Sequence, residues 1–141
     1  MKDTNKVFFD TNVLIYVVDD RNPEKQKIAV DIITKSINNE NGIISTQSLQ
    51  EFYSATTRKQ LCTSSQAKEY ARNFSESFNV HQVDLELIFK AIDISIKNKI
   101  SFWDSLIVSA AEESGCVIVY SEDLNDGQII NGVRVVNPFA A

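Results

Sequence analysis

The stretch Cys116-Val117-Ile118-Val119-Tyr120 is short, continuously apolar and rich in β-branched residues, with Gly115 before it and Ser121-Glu122-Asp123 after it. With no polar alternation, it reads as a strand buried on both faces, the pattern of the middle of a parallel sheet. Such a strand constrains everything around it. Parallel neighbours need long crossover connections, usually helices, and both faces of the sheet need a covering layer.

The rest of the chain supplies those parts. Val7-Phe8-Phe9 is a second short apolar run, with Asp10 at its carboxyl end. Asn22 before Pro23 is a cap followed by proline at the first helical position, opening a helix with Ala29, Ile32, Ile33 and Ile37 at helical spacing. Asn41-Gly42 closes it, and Gly42-Ile43-Ile44-Ser45 reads as the next strand. Leu49, Phe52, Tyr53 and Thr56 mark one face of a further helix, with Arg58-Lys59-Gln60 as its polar tail. Thr63 and Gln66 form a capping-box signature ahead of Ala67, Tyr70, Ala71, Phe74 and Phe78. A short strand is expected between Val80 and Val83. Asp84 then caps a helix with Leu85, Ile88, Phe89, Ile92 and Ile96 on one face. Ser101 opens the last long helix, which Gly115 ends, and Val133-Arg134-Val135-Val136 is a final strand stopped by Asn137-Pro138. The alternation predicts one α/β domain over residues 1–141, with a central parallel sheet flanked by helices and no internal repeat.

Charge limits what such a domain binds. The 14 Lys and Arg against 19 Asp and Glu, a net −5, argue against a general basic coat for nucleic acid, so any such contact must be local. Cys62 and Cys116 lie far apart with no Cys-x-x-Cys spacing and are expected as free thiols. The start Met1-Lys2-Asp3-Thr4-Asn5-Lys6 is charged with no long apolar region behind it, and nothing approaches a membrane-spanning run. A soluble cytoplasmic protein with no membrane partner is expected.

Four acids stand out. Asp10 and the Ser121-to-Asp123 segment follow predicted strands, and ligands of α/β sheets bind outside the carboxyl ends of the strands. Glu51 and Asp104 join them as candidates on helices. Grouped carboxylates are what a hard divalent cation requires. Each acid also has a plainer use. Asp10-Thr11-Asn12 suits a turn, Glu51 lies off its helix's apolar stripe, and Ser101-x-x-Asp104 is a capping-box pattern. Ser121 to Gly127 is a turn-rich segment in which Glu122 and Asp126 compete with Asp123 as ligand. His81 is the only histidine, expected as a half-exposed strand residue, so a two-histidine acid/base mechanism is excluded. Trp103 and Tyr120 are expected to pack rather than to stack bases.

Taken in order, Phe8-Phe9-Asp10-Thr11-Asn12-Val13-Leu14, Ser45-Thr46-Gln47-Ser48-Leu49-Gln50-Glu51-Phe52, Phe102-Trp103-Asp104-Ser105-Leu106-Ile107-Val108-Ser109-Ala110-Ala111 and Ser121-Glu122-Asp123-Leu124 resemble the PIN-domain ribonucleases, specifically the VapC-type toxins of toxin–antitoxin pairs. The resemblance runs from Val7 to about Phe139. It implies that Asp10, Glu51, Asp104 and Asp123 are catalytic metal ligands for Mg²⁺ or Mn²⁺, with Asn12 and Ser121 as polar supports. Ser105 departs from the alanine that commonly follows the third acid. Also implied are an RNA substrate cleaved by metal-assisted hydrolysis, an antitoxin partner and a homodimer, the last suggested too by the aromatic stripe of Thr63–Phe78. Arg58, Lys59 and Arg134 are the candidate RNA-holding cations. The alternatives are a PIN nuclease of RNA processing that is not a toxin, or a catalytically inactive PIN-like binding module. A phosphatase with Asp10 as nucleophile is disfavoured, because Asn12 stands where its second aspartate belongs.

Overall fold

A computed structural model describes residues 5–140; Met1 to Thr4 and Ala141 lie outside the described residues, and with them part of the expectation for the N-terminus. The elements are β1 (Val7–Phe9), α1 (Thr11–Val18), α2 (Pro23–Asn39), β2 (Gly42–Ser45), α3 (Thr46–Arg58), α4 (Ser64–Ser77), β3 (Asn79–His81), α5 (Leu85–Asn98), α6 (Phe102–Glu113), β4 (Ile118–Tyr120), β5 (Ile129–Ile130) and β6 (Val133–Val136). They form one six-stranded sheet in the order β3-β2-β1-β4-β6-β5, parallel except for the β5–β6 hairpin.

Side-chain alternation along the buried strands splits the core into two layers. Phe8 and Ile43 face one layer with Leu87, Ala91, Ile94, Leu106, Ile107 and Val119. Val7, Phe9 and Ile44 face the other with Val13, Leu14, Ala29, Ile33, Phe52, Phe74 and Phe78. The sheet is therefore sandwiched between α5 and α6 on one side and α1 to α4 on the other, the double cover that wholly apolar strands require.

The predicted caps at Thr63 and Asp84 form: Thr63 and Gln66 make a reciprocal capping box on α4, and the Asp84 side chain accepts the Leu87 N–H at 2.9 Å. Pro23 opens α2 as expected, but the Asn22 side chain makes no cap bond and donates instead to Asp19 at 3.4 Å. Gly42 sits where a Cβ would lie 2.6 Å from the Phe78 ring and 2.8 Å from Ser36 Oγ, so this strand start tolerates only glycine without displacement. Cys62 and Cys116 are free and buried, and Tyr120 packs as expected, its ring 5.4 Å from Phe9. His81 is a partly exposed strand residue bonded to Glu113 at 2.5 Å.

Three expectations need correction. α1 and β5 carry no expectation from the sequence. The strand beginning at Cys116 starts pairing only at Ile118, and β3 starts one residue before the predicted run and ends two residues before it does. On α5 the buried residues are Leu87, Ala91 and Ile94, whereas Leu85, Phe89 and Ile96 of the predicted stripe are 69%, 59% and 72% exposed. On α4 most of the stripe is spent inside the molecule, with Phe74 meeting Phe52 edge-on at 5.2 Å and Ala67, Phe74 and Phe78 buried, while Tyr70 stays 39% exposed.

Candidate functional site

The sheet order places β1 between β2 and β4, so consecutive crossovers leave its two edges in opposite directions. A crevice opens at the carboxyl ends of the strands at such a switch point. Asp10 emerges there, its N–H still paired with the Tyr120 carbonyl at 2.9 Å. Its side chain, 6% exposed, caps α1 by accepting the Thr11 N–H at 2.7 Å. The other carboxylate oxygen accepts the Ser121 hydroxyl at 2.7 Å and the Asn12 amide at 3.4 Å. Asn12 also donates to Asp123 at 3.1 Å and accepts the Glu122 N–H at 3.3 Å, while Ser121 Oγ accepts the Asp123 N–H at 3.1 Å. Asp10, Asn12, Ser121 and Asp123 thus form one network tying the ends of β1 and β4.

Glu51, on α3, joins through Thr11, whose hydroxyl donates to it at 2.8 Å. Asp104 lies in the first turn of α6 and lines the same cavity of about 420 Å³ as Asp10, Asn12, Gln47, Glu51 and Asp123. The Ser101 side chain accepts the Asp104 N–H at 3.1 Å, but the Asp104 carboxylate makes no hydrogen bond back. Half of the capping box therefore forms, and the charged half is left to the cavity. The two competitors of Asp123 are occupied elsewhere. Glu122 is held by Lys25 at 2.6 Å and Tyr16 at 2.7 Å, and Asp126 accepts the Asn137 N–H at 2.9 Å as a turn brace. Ser105 is buried and spends its hydroxyl on the Ser101 carbonyl.

Burial pushes the Asp10 carboxyl up from 3.8 to about 7. The Ser121 and Thr11 hydrogen bonds oppose that rise, and the charges of Asp123 and Glu51 add to it. Loss of hydration, more than crowding of like charges, makes this carboxylate short of a cation. Lys59 lines the cavity as predicted, Arg58 an adjacent hollow beside Glu51; Arg134, on β6, lies outside both. Arg21, which sequence reasoning missed, is a cavity residue, held by Asp19 at 2.8 and 3.0 Å. Nothing in its local sequence marks it, because α1 brings it there. Trp103 also departs from expectation: it is 63% exposed on the cavity wall.

The donor set is all oxygen from carboxylates, hydroxyls and an amide, which suits Mg²⁺ or Mn²⁺ rather than a thiolate- or imidazole-seeking metal. Among the described residues no three Asp, Glu, His or Cys side chains stand close enough to form a finished cage. An ion here would complete its shell with water, as Mg²⁺ commonly does.

Residues 7–125 match the PIN domain family. The chain belongs to that family. Comparison with curated proteins finds no match. Among solved structures, this PIN domain is similar to a toxin–antitoxin complex from Klebsiella pneumoniae, with 18% identity, 96% of this chain and 100% of that one covered and a TM-score of 0.72. It is also similar to DNA-bound VapBC from Salmonella typhimurium, with 16% identity, 93% and 96% covered and a TM-score of 0.69. A third is VapC20 of Mycobacterium tuberculosis, a toxin that cleaves the sarcin-ricin loop, with 18% identity, 84% and 90% covered and a TM-score of 0.65. At these identities the likeness establishes the PIN fold.

Proposed function

We propose that the chain is a divalent-metal-dependent endoribonuclease and the toxin of a toxin–antitoxin pair. The observation that carries this reading is the buried Asp10 carboxylate, bonded to Asn12 and Ser121 and sharing one cavity with Glu51, Asp104 and Asp123. The PIN family match and the VapC and VapBC likenesses support it. Asp10, Glu51, Asp104 and Asp123 would hold Mg²⁺ or Mn²⁺, which supplies an acidified water and charge neutralisation at the phosphate. Thr11, Asn12 and Ser121 fix the carboxylates' orientation, as outer-shell partners do. Glu122 lines the same cavity, but Lys25 and Tyr16 engage its carboxylate. Lys59, together with Arg21 beside its Asp19 partner, gives the acidic cavity the cations that an RNA backbone would meet. No helix among the described residues is long and apolar enough to cross a membrane, and a cytoplasmic site of action is part of this reading.

Two protein partners are included. One is an antitoxin, on the strength of the neighbouring VapBC complexes. The other is a second copy of this chain, which we seat on the exposed Leu85, Phe89 and Ile96 of α5 in preference to α4, whose stripe leaves only Tyr70 exposed. On that helix Glu86 lies near the start and Lys97 near the end, with Lys90 and Asp93 about the middle. An antiparallel two-fold pairing sets unlike charges opposite each other.

The deciding experiment incubates purified protein with total RNA in Mg²⁺ and in excess chelator, and maps new ends by sequencing. Metal-dependent cleavage that Asp10→Asn abolishes is the expected result. Full cleavage in chelator, or by the Asn variant, would overturn it.

A further inference from the structure

We infer that Trp103 is the stacking platform of a nucleobase subsite beside the acidic cavity, holding an unpaired base of the RNA next to the phosphate that the acids engage. This deepens the ribonuclease reading and rests on it. Trp103 is the only tryptophan of the chain and leaves 63% of its surface exposed. From Ser105 to Ala111 every residue of α6 is buried, so the same helix that hides its apolar residues presents its largest ring to solvent. The ring is not simply unpacked. Phe102, packed against the α5–α6 core layer, meets it edge-on with centroids 5.1 Å apart and planes at 73°. The Gln47 amide N–H reaches the Trp103 carbonyl at 3.4 Å, linking the first turn of α6 to the start of α3.

What surrounds the ring says what it is for. Trp103 precedes Asp104 directly and shares the cavity lining with Gln47, Glu51, Lys59 and Asp104 as well as the apolar Ala55 and Ile107. An apolar protein partner would still have to meet those charged side chains. A nucleotide chain matches every part: its base covers the indole face, and its phosphates meet Lys59 and Arg21 on the cavity walls. Lys59 has no ion-pair partner among the described residues and is left for such a contact. Gln47 adds a second sign of polar demand here, since its buried carbonyl oxygen finds no donor among the described residues. Stacking reads a π-face and not a hydrogen-bond pattern, so the subsite is tolerant of base identity.

The test has two readouts. In steady-state cleavage of a short single-stranded oligoribonucleotide, Trp103→Ala should raise KM by roughly 5- to 150-fold, the range for one lost base stack, with kcat changed far less. Trp103→Phe should recover most of that loss, and the Mg²⁺-induced rise in melting temperature should match wild type in both variants. Separately, the intrinsic fluorescence of the cleavage-deficient Asp10→Asn protein in Mg²⁺ should be quenched saturably by oligoadenylate. An abasic oligomer with the same number of phosphates should leave it unquenched. Wild-type KM in Trp103→Ala, or equal quenching by the abasic oligomer, overturns the subsite while leaving the nuclease reading intact. Should wild type cleave no RNA, that reading fails first, and absence of quenching then removes the subsite as well. If Trp103→Ala keeps its KM but no longer co-purifies with the neighbouring gene's product, the ring belongs to a protein interface and the inference is wrong.

Discussion

Replacing Asp10 with Asn should make the metal-free protein more stable at alkaline pH and less stable at acid pH. The carboxyl is 6% exposed and titrates near 7 in the folded protein, against 3.8 as its ordinary value. That difference corresponds to about 4 kcal/mol. A raised folded pKa means that the folded protein binds the proton more tightly. The stabilising contribution is full below about pH 3.8 and is lost as pH rises through about 7. Asparagine cannot ionise and avoids that loss. It gives up one acceptor, leaving the Ser121 hydroxyl and Asn12 amide facing an NH₂ group, at a cost of about 1–2 kcal/mol. The variant should therefore be about 2–3 kcal/mol more stable than wild type at pH 8 and about 0.5–1.5 kcal/mol less stable at pH 4, with a crossing between. For a chain of this size the alkaline gain is worth about 6–9 °C in melting temperature. The assay is urea unfolding of both proteins in chelator across pH 4–8.5, reading the difference between them. Asp19, Glu113 and Glu122, whose carboxyls lie below their ordinary range, contribute stability that is lost as pH falls and cancel in that difference. Mg²⁺ at about 1,000 times its Kd should reverse the order at pH 8, since it adds about 4.1 kcal/mol to a protein that binds it, more than the variant's lead. A pH-independent difference, or equal stabilisation of both proteins by Mg²⁺, would refute the argument.

The fourth acid is open to a direct comparison: Asp123→Asn should lose cleavage and the Mg²⁺-induced melting shift, whereas Glu122→Gln and Asp126→Asn should keep both. Asp126→Asn should cost no more than about 1 kcal/mol in a melt, because an amide oxygen can still accept the Asn137 N–H. Gly42→Ala forces a methyl against the Phe78 ring and should destabilise by about 1–3 kcal/mol in urea unfolding without changing cleavage per folded molecule. Phe89→Glu on α5 should turn a dimer into a monomer by light scattering at unchanged melting temperature per protomer; an unchanged dimer would place the interface elsewhere.

Local order along the chain sufficed for the parts whose signal is local. Short apolar runs located β1, β2 and β6, proline at the first helical position marked the start of α2, and side chains within three residues of a helix start specified the caps at Thr63 and Asp84. Because the sheet is parallel, acids placed directly after β1 and β4 must share one edge, so the pairing of Asp10 with Ser121–Asp123 was also legible. The rest required the tertiary structure. Thr11–Val18 is apolar almost throughout, and with no periodic contrast nothing told a helix there from an extended run; burial on several sides erases the pattern. On α5 two apolar stripes coexist, and only the docking of α6 decides that Leu87, Ala91 and Ile94 face inward while Leu85, Phe89 and Ile96 do not. Glu122, Asp123 and Asp126 are chemically alike in sequence. They separate once Lys25 and Tyr16 arrive from α2 and α1, and the Asn137 N–H from the segment after β6, to occupy two of them. The exposure of Trp103 and the arrival of Arg21 at the cavity are of the same kind. Each depends on which distant surfaces meet, a matter of packing free energy summed over the whole fold and not of any residue's neighbours in the chain.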